Sequence, residues 1–362
     1  MRFDPAWLIV AAAFGAAMPA GAVEPRVLHI ANRPEFIADD TVQKFEAETG
    51  IAVTYDVYAT DAQLTEALAA GNKAGWDLVV VPVVPDLARD LPRHFFQPVG
   101  RDRLGNFGNL DRDILGLAAS WDPGNEYGVP YLWGTSGLGL DLAKIKAALP
   151  DTDLDTLGLA FDPAIVAKLG CPVAIEDMAD AVIPAALAMA GLDPISQAPK
   201  DLEQAGELLL HLRPLVRRLA PDDFVEALAS GGACVGFGAS DDVTDARSKA
   251  EERGNGVDLT YLIPRERSRM WIDVMAIPAG AAHVEEARAF IDFVLRPEII
   301  SNITDWTGAA NPNTLANDFV DDDRSDQTVF PSSQARARLF MDKPLSPEAV
   351  ALRNRIWSKT KP

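Results

Sequence analysis

Histidine and cysteine are scarce in this chain: four and two among 362 residues. The histidines stand at 29, 94, 211 and 283: His29 falls in a strand-like run, His211 in an amphipathic stretch and His283 just before another. None is spaced with a second His or Cys as a metal site would need, so no metal is expected. Basic residues are outnumbered, 33 against 53 acidic, for a net charge of −20. That balance argues against nucleic acid and anionic membrane surfaces as partners, since both require a basic face. "GTSGLG" (134–139) faintly suggests a nucleophile elbow or a phosphate loop, but it lacks what either needs. No Lys-Ser/Thr follows the glycines, and Gly137 follows Ser136 directly instead of one residue later. It reads as a close-packed turn where the chain passes from one unit to the next. Internal repeats and low-complexity tracts are missing too, and no catalytic constellation is expected.

What remains is the composition of a globular protein, 48% hydrophobic and 24% charged, long enough for two domains of ordinary size. The first 22 residues differ from the rest. Arg2 precedes an apolar run from Ala6 to Ala17, and Ala20-Gly21-Ala22 is a small-x-small end. This predicts a secretory signal peptide cleaved after Ala22, although Asp4 offsets Arg2; the run is short for a span and Pro19 interrupts it. Export gives Cys171 and Cys234 an oxidising compartment. They can form a disulfide, worth about 4 kcal/mol on the chain-entropy model, or remain two buried thiols.

After the signal segment, strand and helix patterns alternate. "RVLHIA" (26–31), "IAVTYDVY" (51–58) and the continuous apolar "WDLVVVPV" (76–83) predict strands. Helices are predicted between them over 39–50, closing on Gly50, and over 61–71. This βαβαβ order predicts an open α/β sheet whose ligands lie beyond the carboxyl ends of its strands. Further along, a long amphipathic helix is predicted near 202–219, strands at 233–238 and 261–278, and helices at 284–295 and 346–360.

The most telling stretch is "RMWIDVMAIP" (269–278), a buried-strand pattern with Asp273 in its middle. A carboxylate among apolar neighbours needs a cationic partner, because burying it alone costs several kcal/mol. Strand alternation places Trp271, Asp273 and Met275 on one face. A carboxylate beside an indole suits an incoming ammonium ion. The alternative partner is an arginine of "RERSR" (265–269), and the residues alone leave both open.

In ordered segments the chain resembles the periplasmic substrate-binding proteins of polyamine ABC importers, closest to the putrescine-binding branch. The segments are "TVQKFEAETGIAVTYDVY" (41–58), "WDLVVVP" (76–82), "VPYLWGTSGLGLDLAKIK" (129–146), "DVMAIP" (273–278) and "FVLRPEIISNITD" (293–305). The resemblance implies a two-lobed α/β fold of the type II kind, each lobe a discontinuous α/β sandwich joined by crossover strands. It places residues 23–132 and 252–303 in the first lobe, and 133–251 and 304–362 in the second. It implies a disulfide between Cys171 and Cys234. It also implies a cationic amine in the cleft, delivery to an ABC permease of the inner membrane, no cofactor, no catalysis and a monomeric periplasmic chain.

Carried over by position, the ligand-binding set is Glu35, Phe36, Asp242, Trp271 and Asp273. Glu35 stands for an aspartate and Phe36 for a tyrosine. Several cleft positions are altered: Arg33 and Pro34 replace Trp-Ser, Pro85 replaces a serine, Ala239 a tryptophan and Ala309 a tyrosine. A further acidic position falls at Asp180 or Ala181. Losing two aromatic walls widens the cleft and removes about 1–3 kcal/mol of cation–π attraction. Arg33 repels an ammonium unless Glu35 neutralises it. These departures predict that a cation is still taken but that putrescine binds weakly, or that the same fold serves a non-polyamine ligand. Asp273 is expected to have no ion-pair partner until ligand arrives.

Overall fold

The computed structural model of the protein describes residues 26–58, 60–321 and 326–360. The expected signal segment, 1–22, lies outside the described residues. Among the described residues eleven strands follow in chain order: β1 (Val27–Asn32), β2 (Ala52–Val57), β3 (Leu78–Pro82), β4 (Phe96–Gln97), β5 (Gly128–Asp141), β6 (Val173–Glu176), β7 (Val216–Leu219), β8 (Val235–Ala239), β9 (Leu259–Leu262), β10 (Ser268–Pro278) and β11 (Leu339–Met341). Their main order in the sheet is β2-β1-β3-β10-β5-β8-β6-β7. Among the described residues no helix is long and apolar enough to cross a membrane.

The first unit folds as its alternation predicts. β1 pairs in parallel with β2 and with β3. The helix Thr41–Thr49 between β1 and β2 ends at Gly50, whose φ of 68° gives the left-handed turn that glycine adopts without strain. Phe45 on that helix packs edge-on against Phe290 and Phe293, with ring centroids 5.0 and 5.4 Å apart. Such pairs add about 0.5–1.5 kcal/mol to the burial of the rings themselves. The carboxylate of Asp77, fully buried, accepts backbone N–H bonds from His29, Ala282 and His283, and so ties β1 to the start of the helix Val284–Val294. His283 bonds the same carboxylate through its ring, a structural role.

Two long strands join this unit to the second. β10 runs antiparallel to β3 over 273–276 and to β5 over 270–276. β5 continues past that pairing to meet β8 over 136–140 and β9 over 138–141. "GTSGLG" is therefore part of a fully buried fourteen-residue strand, and not the turn that its glycines suggest. The reason is contact: a side chain at Gly134 would collide with the Trp271 ring, and one at Gly137 with Tyr261.

The hydrophobic cores divide accordingly. Leu28, Ile30, Leu78, Val80, Met275 and Ile291 share one core, with a companion around Val79, Val81, Ile272 and Val274. Leu138, Leu140, Val173, Ile175, Val235 and Phe237 share another, with a companion around Phe224 and Leu228. Residues near the expected lobe boundaries pack differently from the expectation. Leu259, Tyr261 and Ile263 enter the second group, while Ala309, Ala310 and Ala316 enter the first.

One helix is shorter than its periodicity suggests. It spans Pro199–Leu212, and Val216–Leu219 is instead β7, parallel to β6. Pro214 accounts for the break: it has no N–H to donate, and it disfavours helical geometry at Arg213. Cys171 and Cys234 form a disulfide across 63 residues, just before β6 and β8. Replacing both cysteines by alanine should lower the unfolding free energy by about 2–4 kcal/mol, because the unfolded chain regains the entropy of that loop. Chemical denaturation of the variant beside the parent measures this; equal midpoints would contradict it.

Candidate functional site

The parallel strands β1 and β3 of one lobe and β6 and β8 of the other all point their carboxyl ends at one cavity of about 430 Å³. Arg33 and Phe36 follow β1, and Val84 and Pro85 follow β3. Glu176 ends β6, and the next residues lead through Asp177 to Asp180 in the first turn of the helix Ala179–Met189. Ala239 ends β8, and Asp241 and Asp242 occupy the first turn of the helix Ser240–Arg253. Trp271 and Asp273 of β10 complete the wall with Arg269. Gly238 makes room for this geometry, since a Cβ there would lie 2.6 Å from Glu176 Oε2.

Asp273 is 1% exposed and holds a partner that neither reading of its own strand named. Arg33 Nη1 donates to Asp273 Oδ2 at 3.2 Å. The arginines of 265–269 are engaged elsewhere: Arg265 with Asp153, Arg267 with Asp193 and Arg269 with Asp342. The expectation that Asp273 stays unpaired before ligand arrives is thus corrected, and so is the choice of its arginine. Sequence reasoning missed this pair because the two residues lie 240 positions apart.

The other acids are crowded. Glu176, 2% exposed, accepts from the backbone N–H of Ala239 at 2.9 Å. Burial, and then the charge of Glu176, hold the Asp242 carboxyl far above the carboxylate range; burial chiefly, with the Asp241 charge, raises Glu176 as well. Each therefore tends to hold a proton above the pH at which an exposed carboxyl would lose it. Burial, with the charges of Asp242 and Asp273, pushes Asp241 up to about 8. Its Oδ1 is buried without a hydrogen-bond partner. Each of these shifts means that a cation brought to the cavity would relieve repulsion and desolvation together.

The candidate residues do not all meet. Phe36, Asp242, Trp271 and Asp273 line this cavity together with Arg33, Pro85 and Ala239. Pro34 and Glu35 line a neighbouring cavity of about 340 Å³, with Asp245, Lys249 and Trp306. Phe36, Asp241 and Asp242 form a wall common to both. Ala309 is fully buried in the first lobe's core. Of the two candidates for the further acidic position, Asp180 lines the cavity and Ala181 is buried in the second core. Glu176 and Asp241 were not singled out by sequence. The available signal was their place, at or just past the carboxyl end of a strand.

The strand-end geometry has counterparts among known proteins. Residues 40–329 match the model of the bacterial extracellular solute-binding proteins. The chain is 38% identical over 363 residues to the putrescine-binding periplasmic protein SpuD of Pseudomonas aeruginosa, covering 99% of this chain and 98% of that one. It is 38% identical over 344 residues to the putrescine-binding periplasmic protein PotF of Escherichia coli, covering 94% and 92%. Among solved structures, the spermidine/putrescine substrate-binding protein PotD of Streptococcus pneumoniae superposes with a TM-score of 0.78 at 21% identity, covering 92% of this chain and 98% of that one. That last likeness shows the two-lobed fold.

Two measurements follow from the carboxyl cluster. Glu176, Asp241 and Asp242 bind protons more tightly folded than unfolded, where they titrate near 4. Their contribution to stability is therefore full below about pH 4 and is lost as pH rises toward the folded values near 7 to 9. Melting temperature of the ligand-free protein should fall across that window, and Asp242→Asn should flatten the slope; an unchanged slope would contradict it. Asp273→Ala should lower stability by about 1–3 kcal/mol, because it removes a buried ion pair and leaves Arg33 to re-solvate. Denaturant unfolding reads that loss.

Proposed function

Since the chain belongs to the bacterial extracellular solute-binding proteins, on their polyamine-binding branch, we propose that it captures a polyamine or related cationic amine between its lobes and delivers it to an ABC permease of the inner membrane. The observation that carries this reading is the charge of the cavity. Six carboxyl groups line it, Glu176, Asp177, Asp180, Asp241, Asp242 and Asp273, against the guanidinium groups of Arg33 and Arg269. Glu176 and Asp273 are buried and Asp241 and Asp242 half-buried, which is stable only where cations or retained protons offset them. Phe36 and Trp271, with ring centroids 6.0 Å apart, add aromatic surface for an ammonium and its methylenes.

The rest of the reading follows the fold. β5 and β10 are the connections between lobes, so closure on a ligand would bend these strands and bring the ends of β1 and β3 toward those of β6 and β8. The role is binding without chemistry, in the periplasm, after removal of residues 1–22. The 38% identity to two putrescine-binding periplasmic proteins supports both the ligand class and the compartment.

Calorimetric titration of the purified protein tests this. At least one member of a panel of putrescine, cadaverine, spermidine and short monoamines should give saturable heat, and Asp241→Ala should weaken it by tenfold or more. Ligand at a hundred times its dissociation constant adds about 2.7 kcal/mol of stability, so a thermal-shift screen can rank the panel first. A sugar or dicarboxylate binding while every amine stayed silent would overturn the reading.

A further inference from the structure

We propose that Arg33 fills one ammonium position of the cavity from within the chain, so that the amine taken carries one cationic end and a far end that is neutral or anionic. The inference rests on the amine reading above and narrows it. An alkylammonium seeks a carboxylate and an aromatic face at the same point. At the Asp273 end both are engaged by the protein's own cation. Arg33 Nη1 bonds Asp273 Oδ2 at 3.2 Å, and the guanidinium carbon stands 5.9 Å from the centroid of the Phe36 ring. Asp273 cannot follow a ligand elsewhere, because β10 holds it in register opposite Pro82 of β3 and Leu132 of β5. A ligand ammonium reaching that carboxylate would have to displace the guanidinium or lie beside it, and like charges at contact repel strongly in a confined site.

The cavity's remaining acids have the complementary need. Asp241 Oδ1 is buried with no hydrogen-bond partner, and Glu176 and Asp242 crowd against each other. One ammonium brought to these three acids supplies a cation that Arg33, bonded to Asp273, does not give them by hydrogen bond. A second on the same ligand would arrive at a position already holding a positive charge. A methyl end would meet the flank of the guanidinium and apolar lining such as the rings of Phe36 and Trp271, and a carboxylate end would meet an attractive charge.

Three ligands with the same four-carbon chain separate the possibilities: putrescine with two ammonium ends, 4-aminobutyrate with a carboxylate end, and butylamine with a methyl end. The natural protein should bind 4-aminobutyrate or butylamine at least tenfold more tightly than putrescine by calorimetry. Arg33→Ala should raise putrescine affinity at least tenfold and so narrow or invert the order. Arg33→Gln, which keeps much of the side chain's bulk, serves the same comparison if the alanine variant folds poorly; the ranking by the natural protein needs no variant at all. If the natural protein prefers putrescine to both other ligands, the inference about Arg33 is overturned while the amine reading stands. If neither the natural protein nor the variants bind any amine, both fall together.

Discussion

The antiparallel pairing of β5 with β10 is the constraint on which everything else depends. β5 carries the sheet from one lobe into the other, pairing with β10 and then with β8, and all fourteen of its residues are buried. Its backbone polar groups must find partners within the protein, since water has no access: most pair in the sheet, while Trp133 N–H and Thr135 N–H donate to the carbonyl of Ala310 and the hydroxyl of Ser240. That requirement fixes the register, and the register fixes where Trp271 and Asp273 stand relative to the strand ends of both lobes. It also explains the glycines at 134 and 137, which let the rings of Trp271 and Tyr261 lie against the strand.

A charged residue in such a strand imposes its own condition. Asp273 has to be neutralised by something that reaches it from outside the sheet, and the loop after β1 supplies Arg33. The remaining acids are satisfied differently. Burial raises the carboxyls of Glu176 and Asp242, and Glu176 also draws on the backbone N–H of Ala239. One cavity therefore holds two solutions to the same problem: a permanent cation on Asp273, and carboxyls raised by burial that retain protons. Only the second can be exchanged for a ligand's charge without moving a side chain.

Much of this was legible in the sequence, and the failures have physical causes. The alternation of the first ninety residues specifies β1 to β3 and their helices because local periodicity and burial agree there. The helix expected to 219 stops at 212 because one proline outweighs a continuing leucine pattern. "GTSGLG" misled because glycine marks turns and close ring contacts alike, and only the partner strand tells them apart. Asp273 and Trp271 stand out from a ten-residue window, whereas the Arg33 to Asp273 pair joins residues 240 positions apart. Glu35 and Phe36 are adjacent in the chain, yet Glu35 lines a different cavity, at a backbone φ of 55° that position in a sequence cannot reveal.

Many of the cavity's side chains hang from loops and helix starts just past strand ends, although Val84, Phe36 and Trp271 also pack into the first lobe's cores. Recognition and folding are therefore written in partly separate sets of positions. The segments at 33–36, 84–85 and 239–242 can be rewritten singly, each altering charge or volume in the cavity while β1, β3 and β8 keep their pairings. Positions 269, 271 and 273 are the exceptions, belonging to the central strand and to the cavity at once. A lineage on this scaffold can thus drift from one ligand to another by small steps at the loops, whereas Asp273 and the Arg33 that neutralises it have to change together, because losing either one leaves the other's charge without its partner.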